Sequence, residues 1–175
     1  MQTLETIANR KSTRSYKPEQ IPEEALQVIL KAGCAAPVSM ANYDSLHITV
    51  VQNEKLLHQI NQASEEGFFR TTGMRKNMDY GAKTLILVSS TPIHRPGAEY
   101  TNVGIVVENM VLAATDLGID SVILGAAPAV VAEDEALMKV LDIPEGYTPL
   151  LGVAFGYGAE DTPAKEHVIT VNRVN

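Results

Sequence analysis

The residues best suited to chemistry stand near the start of the chain, in Arg10-Lys11-Ser12-Thr13-Arg14 with Lys17 close behind. Four of the fourteen Lys and Arg residues fall within eight positions of a chain whose formal net charge is -7. In an extended segment side chains alternate, so Arg10, Ser12 and Arg14 project to one side. Two guanidinium forks and a hydroxyl on one side suit a phosphate, or the oxygen-rich edge of a planar ring. A solvated basic loop accounts for the same residues.

A second segment, Ala36-Pro37-Val38-Ser39-Met40-Ala41-Asn42, combines small residues that let a backbone approach a ligand with polar groups at Ser39 and Asn42. Pro, Ser and Asn also build an ordinary turn unaided. A third, Ile123-Leu124-Gly125-Ala126-Ala127-Pro128, is an apolar run ending in small residues that can lie against a ring, or is simply a strand end with a Gly turn. Late in the chain Lys165, His167 and Arg173 are the only cations after Lys139, open to roles as anion contacts or surface charges. Arg70, Arg75 and Lys76 could meet a phosphate, and a solvated loop explains them as well. His47, His58, His94 and His167 are scattered, and with one cysteine they supply no metal-ligand spacing. No nucleophile–base pair or acid–base dyad stands out.

The elements that must position these segments follow from periodicity. A short helix is expected over Leu4–Ala8, then an extended run from Arg10 to Tyr16. Pro22, Glu23 and Glu24 mark a helix start. Ala25, Val28, Ile29 and Ala32 form its apolar face, and Gly33 or the Ala35–Pro37 stretch ends it. Strands are expected at His47–Val51, Lys83–Ser89, Ser121–Leu124 and Pro149–Phe155, with a further candidate in the alternating tail Val168–Val174. Asn53 can cap a helix carrying Leu56, Leu57 and Ile60. Thr101–Leu117, closed by Gly118, is apolar on more than one face and must be buried under other layers or against a second subunit. A helix around Glu133–Leu141 completes the set. No Gly-rich turn follows the first strand, so the pattern is an α+β sandwich and not a doubly wound dinucleotide fold.

Bulk properties agree. The 175 residues fit one domain, 45% are hydrophobic and only 20% charged. The acidic balance argues against nucleic acid or an anionic membrane as partner. No uncharged apolar stretch reaches the roughly 18 residues of a membrane span, and the early Glu5 argues against a signal peptide. Cys34, in an Ala-rich stretch, reads as a small buried thiol, and with no possible internal disulfide the expected compartment is reducing, most simply the cytoplasm.

Taken in order, these segments resemble the nitroreductase family over nearly the whole chain. Ile7–Tyr16 is similar to its Arg-x-Ser-x-Arg-x-aromatic signature, and Ala35–Asn42 to its Ala-Pro-Ser-x-x-Asn segment with Val38 inserted. Asn102–Gly118 resembles its long central helix, and Ile119–Ala126 the strand and small-residue turn that lie against the flavin. Leu141–Tyr147 and Gly156-Tyr157-Gly158 are similar to its Leu-x-Ile-Pro-Glu-Gly-Tyr turn and Gly-Tyr strand end. The resemblance implies a three-layer α/β/α sandwich with a mainly antiparallel central sheet, one domain over residues 1–175, in an entwined homodimer. It implies an FMN-dependent oxidoreductase taking hydride from NADH or NADPH and passing electrons to nitroaromatic, quinone or similar acceptors by a ping-pong cycle.

The flavin contacts it implies are Arg10, Lys11, Ser12, Arg14, Pro37, Val38, Ser39, Asn42, Leu124, Gly125, Ala126 and Lys165. Arg10 would meet the phosphate or ribityl region, and Ser12 and Arg14 would face the ring. Gly125 and Ala126 would approach it by their backbone, and Ser39 and Asn42 would come from the other subunit. No catalytic side chain and no metal is implied. Where the family continues with Gln-Pro-Trp, this chain has Tyr43-Asp44-Ser45-Leu46 and it contains no Trp, which bears on substrate preference and motivates an alternative, a non-catalytic flavin-binding protein for storage, sensing or delivery.

Overall fold

Every residue from Thr84 to Ser90 is buried, and the sheet is built outward from this strand. The computed structural model describes residues 2–161, 163–164 and 167–174. Along the chain come α1 (Thr3–Asn9), α2 (Glu23–Cys34), β1 (Leu46–Val51), α3 (Glu54–Thr72), β2 (Thr84–Ser90), α4 (Ala98–Asp116), β3 (Asp120–Leu124), α5 (Ala126–Ala132), α6 (Glu135–Val140) and β4 (Thr148–Gly156). Two 3₁₀ turns, Ser39–Ala41 and Tyr43–Ser45, lead into β1.

The strands lie in the order β1-β2-β4-β3, and every pairing is antiparallel. Successive residues of β2 face opposite sides. Leu85 and Leu87 join Leu57 and Ile60 of α3, Val131 of α5 and Leu137 of α6 in one core. Ile86 and Val88 join Leu26 and Ile29 of α2 and Val103, Val107 and Met110 of α4 in the other. The fold is thus the expected α+β sandwich, with helices on both faces of an antiparallel sheet.

Local chemistry accounts for the element ends. Asn53 Oδ1 accepts from Lys55 N at 3.0 Å and Leu56 N at 3.2 Å, and α3 stops where Gly73 turns left-handed at φ 73°. Gly118 does the same for α4 at φ 72°, with Ile119 N donating back to Ala114 O at 2.8 Å. α4 buries Val103, Val106, Val107, Met110, Val111 and Ala114, while Ile105 and Leu112 stay half-covered.

Three expectations need correction, and one alternative is decided: α2 ends at the Ala35–Pro37 stretch, with Ala35 as its cap. Gly33 does not end α2; it lies inside the helix, where a Cβ would run into the Met110 side chain, 2.9 Å from Cγ. Its lack of a side chain lets α2 approach α4. Cys34 is exposed, because the buried face of α2 is Leu26, Ile29 and Gly33 and the next residue turns away from it. Residues 126–128, expected as part of a turn, open the helix α5; Pro128 stands in its first turn, where its missing N–H has no intrahelical partner to lose. The described tail residues, 167–174, form no strand and lie exposed.

The Gly33–Met110 contact generates a packing prediction. Gly33→Val should lower the free energy of urea unfolding by about 1–3 kcal/mol through overpacking. Adding Met110→Ala to the same chain should recover part of that loss, because the two residues share one space.

Candidate functional site

The Arg10–Arg14 segment is extended and lies along the outer edge of the sheet. Ser12 forms a parallel bridge with Ser121 of β3, and Thr13 N donates to Ser121 O at 3.0 Å. Because the pairing is parallel, the segment runs with β3 toward Gly125. Thr13 is buried, whereas Ser12 and Arg10 are half-buried and Arg14 is exposed, as alternation requires. Arg14 Nη1 donates to Ser12 O at 3.3 Å, which folds the guanidinium back over the hydroxyl-bearing residue. A small recess of about 150 Å³ is lined by Ser12, Thr13, Arg14, Ser15 and Glu160.

Lys11 points the other way. Its Nζ lies 3.8 Å from Asp120 and 3.9 Å from Asp161. Asp120 also accepts the backbone N–H of Gly158 at 2.9 Å, and a side chain at position 158 would collide with that carboxylate. Ala159 N donates to Ser15 O at 2.9 Å and Lys17 N to Tyr157 O at 2.8 Å. One carboxylate at the start of β3 therefore ties together the basic segment, the sheet edge and the turn after β4. Tyr16, at the end of the segment, is buried among the α3/α5 core residues and its hydroxyl donates to Ala154 O at 3.4 Å. Burial pushes its phenol well above the ordinary tyrosine range, with Asp120 adding to the rise and Arg14 partly offsetting it.

At the end of β3, Leu124 is buried while Ile123 is 42% exposed. Gly125 is exposed, and nothing lies within 4 Å of where its Cβ would be. The backbone there is open on one flank, with Ala126 half-buried behind it.

The Pro37–Asn42 segment occupies a different place. Ser39 N donates to the buried Asn102 Oδ1 of α4 at 3.0 Å, and Asn102 Nδ2 finds no hydrogen-bond partner among the described residues. Met40 and Ala41 are both left-handed, at φ 58° and 52°. Such non-glycine residues cost of order 1–2 kcal/mol each, and strain of this kind concentrates at binding sites. Pro37, Ser39, Met40 and Asn42 are exposed and Val38 half-buried. The Tyr43–Leu46 stretch that departs from the family pattern is well fastened: Tyr43 hydroxyl donates to Ala36 O at 3.3 Å, Ser45 Oγ to Asn42 O at 2.7 Å, and Tyr147 hydroxyl to Asp44 O.

Within one chain Arg10, Ser12 and Arg14 lie along β3, with Ser12 level with Ser121 and the strand running on to Leu124 and Gly125, while Pro37, Val38, Ser39 and Asn42 lie elsewhere. The first group flanks β3 and the second leads into β1, at opposite edges of the sheet. Three strand spacings, about 14 Å, separate those edges. Lys11 joins the acidic cluster, and Lys165 lies outside the described residues. Sequence reasoning passed over Asp120, Asn102 and Thr13. Asp120 opens a strand directly after a helix-ending glycine, which was a legible signal; the buried roles of Asn102 and Thr13 depend on neighbours distant in the chain.

The fold is a three-layer sandwich with a basic segment along one edge strand and an open glycine turn at that strand's end. The family model described as the nitroreductase family matches residues 7–157. The chain is 32% identical to a Bacteroides fragilis nitroreductase whose crystal structure has FMN bound, with a TM-score of 0.85 over 100% of this chain and 98% of that one. It is 28% identical to a second FMN-bound nitroreductase structure, from Desulfitobacterium hafniense, with a TM-score of 0.86 over the whole of both chains. A Methanothermobacter thermautotrophicus protein, provisionally named NADH dehydrogenase/NAD(P)H nitroreductase, is 30% identical over 168 residues, 95% of this chain and 82% of that protein. This chain belongs to the nitroreductase family.

Tyr16 supplies a pH test. A folded-state phenol held above its unfolded value contributes stability below pH ~10 that is lost as pH rises beyond it. In an alkaline absorbance titration, one of the six tyrosines should stay protonated after the others ionise, and unfolding free energy should decline above pH ~10. Asp120→Asn should bring the lagging tyrosine down toward the rest.

Proposed function

We propose that this chain is an FMN-dependent oxidoreductase, cytoplasmic and built as one domain, that takes hydride from NADH or NADPH and passes electrons to nitroaromatic, quinone or similar electron-poor acceptors in a ping-pong cycle. The observation that carries the reading is the parallel Ser12–Ser121 bridge, which sets Arg10, Ser12 and Arg14 beside the strand that ends at the open Gly125 turn. Bound FMN supplies the redox chemistry, and the protein supplies orientation and electrostatics.

The roles of the chain's own residues follow from charge and exposure. Arg10 holds the phosphate or ribityl end by a charge-assisted fork. Arg14 and Ser12 face the ring edge, where a cation and a hydroxyl favour the negative charge that accompanies reduction. Lys11 serves the site from behind, neutralised by Asp120 and Asp161, so it steadies the segment without competing for the anion. Leu124, Gly125 and Ala126 present backbone to the ring, and Lys165 is proposed as an additional anion contact. An acid–base side chain is not needed, because the transferred hydride passes between bound molecules.

The working unit is a homodimer with each flavin shared between subunits. Pro37, Val38, Ser39 and Asn42 reach a flavin only from a second copy, since in their own chain they lie at the far edge of the sheet. Apolar side chains left in solvent support that reading: Met40 is 89% exposed, Val168 97%, and Leu4 and Ile169 are also largely uncovered.

An absorbance spectrum of the freshly purified protein, with released cofactor identified by mass, tests the proposal. Flavin bands with about one FMN per subunit, bleached by NADH or NADPH and restored by a quinone, are the expected outcome. A yellow protein that neither nucleotide bleaches would favour the storage or delivery reading, and a colourless protein that stays so in excess FMN would overturn both. Arg10→Ala with Ser12→Ala should lose bound FMN, with affinity falling at least tenfold on gel filtration, as expected for removal of contacts to a charged group worth about 1.5–3 kcal/mol each.

A further inference from the structure

We propose that the cavity between the C-terminal half of α3 and the start of α5 binds a phosphate of the pyridine nucleotide, with Arg70 as the anion-recognising residue. The inference rests on the oxidoreductase reading above and names how the same site takes its reductant. The cavity holds about 520 Å³ and is lined by Phe68, Arg70, Thr71, Ala126, Ala129 and Glu133 among others. Its position is informative, because Ala126 directly follows the open Gly125 turn. A molecule with one end on a ring beside Gly125 extends along α5 into this space.

The lining divides by chemistry. Phe68, Ala126 and Ala129 offer an apolar wall against which a purine can lie. Arg70 offers a guanidinium fork matched to phosphate oxygens. The three cations of this region are not equivalent. Arg75 lies 4.8 Å over the Phe69 ring and Lys76 Nζ 5.5 Å over the Tyr80 ring, so each already has an aromatic partner. Arg70 forms no ion pair among the described residues, although it lines the cavity together with the carboxylate of Glu133. In a chain of net charge -7, a guanidinium with no ion pair among the described residues, lining a nucleotide-sized cavity, attracts a phosphate there. Glu133 opposes that attraction and so sets its strength.

The test measures binding of two fragments, adenosine 2′,5′-bisphosphate and ADP, to the flavin-loaded protein by titration calorimetry, alongside the ratio of kcat/KM for NADPH to that for NADH. Arg70→Ala should weaken the bisphosphate about tenfold, the low end for loss of a charge-assisted contact at an exposed residue. Arg70→Lys should recover part of that affinity, and Glu133→Gln should tighten it. Lys31→Ala, which removes a charge on the opposite face of the sheet, should leave it unchanged. Weakening of the bisphosphate alone, with a falling NADPH preference, assigns Arg70 to the 2′-phosphate; equal weakening of ADP assigns it to the pyrophosphate. Fragment binding that is absent, or indifferent to Arg70, overturns the proposal. Fragment binding depends on no turnover, so Arg70-dependent affinity in a protein that oxidises neither nucleotide would sustain this site while removing the enzymatic reading.

Discussion

The burial of β2 on both faces is the constraint from which the rest of the architecture follows. A strand carrying Leu85 and Leu87 on one side and Ile86 and Val88 on the other has no face to offer water, so helices must cover the sheet twice. α2 and α4 close one side and α3, α5 and α6 the other. The closeness of α2 to α4 depends on Gly33, whose missing side chain leaves room for Met110. A sheet so covered has only its two edges left for chemistry, and both edges carry the segments that could bind a ligand.

The strand order then decides how a site can be assembled. With β1 and β3 outermost, the Arg10–Arg14 segment and the Pro37–Asn42 segment are held at opposite edges of one sheet. At the β3 edge one recess of about 150 Å³ lies beside Ser12 and Arg14, and another of about 310 Å³ lies beside Lys11 and Asp120. Apolar side chains stay uncovered at Met40 and along the described tail residues. The consecutive left-handed residues at Met40 and Ala41 keep their shape through Asn102, which holds Ser39 from the buried side.

At the β3 edge, precision comes from charge as much as from packing. Asp120 accepts Gly158 N–H and faces Lys11, so three segments distant in sequence meet at one carboxylate. Lys11 is thereby turned away from the side on which Arg10, Ser12 and Arg14 stand, so alternation separates the cation paired with Asp120 from the two arginines. Tyr16 extends the same principle inward, with its phenol kept neutral in the core.

Much of this was legible in the residues themselves. Alternation from Arg10 to Arg14, the Asn53 cap, the helix-ending Gly118 and the apolar strand before Ser90 are local signals, and each appeared where its chemistry placed it. α5 was hidden because Ala126–Ala132 lacks polar caps and contains Pro128, so nothing local distinguished a helix from a turn. The exposure of Cys34 hinged on helix phase. The sequence by itself determined the elements, the two-faced burial of the sheet and the chemical character of each segment, because these depend on neighbours one to four residues apart. Only the tertiary structure decided which segments share an edge, that Lys11 faces Asp120 and that Arg70 opens into a cavity beside α5. Those facts depend on strand order and on carboxylates and glycines more than fifty residues away, which no local pattern encodes.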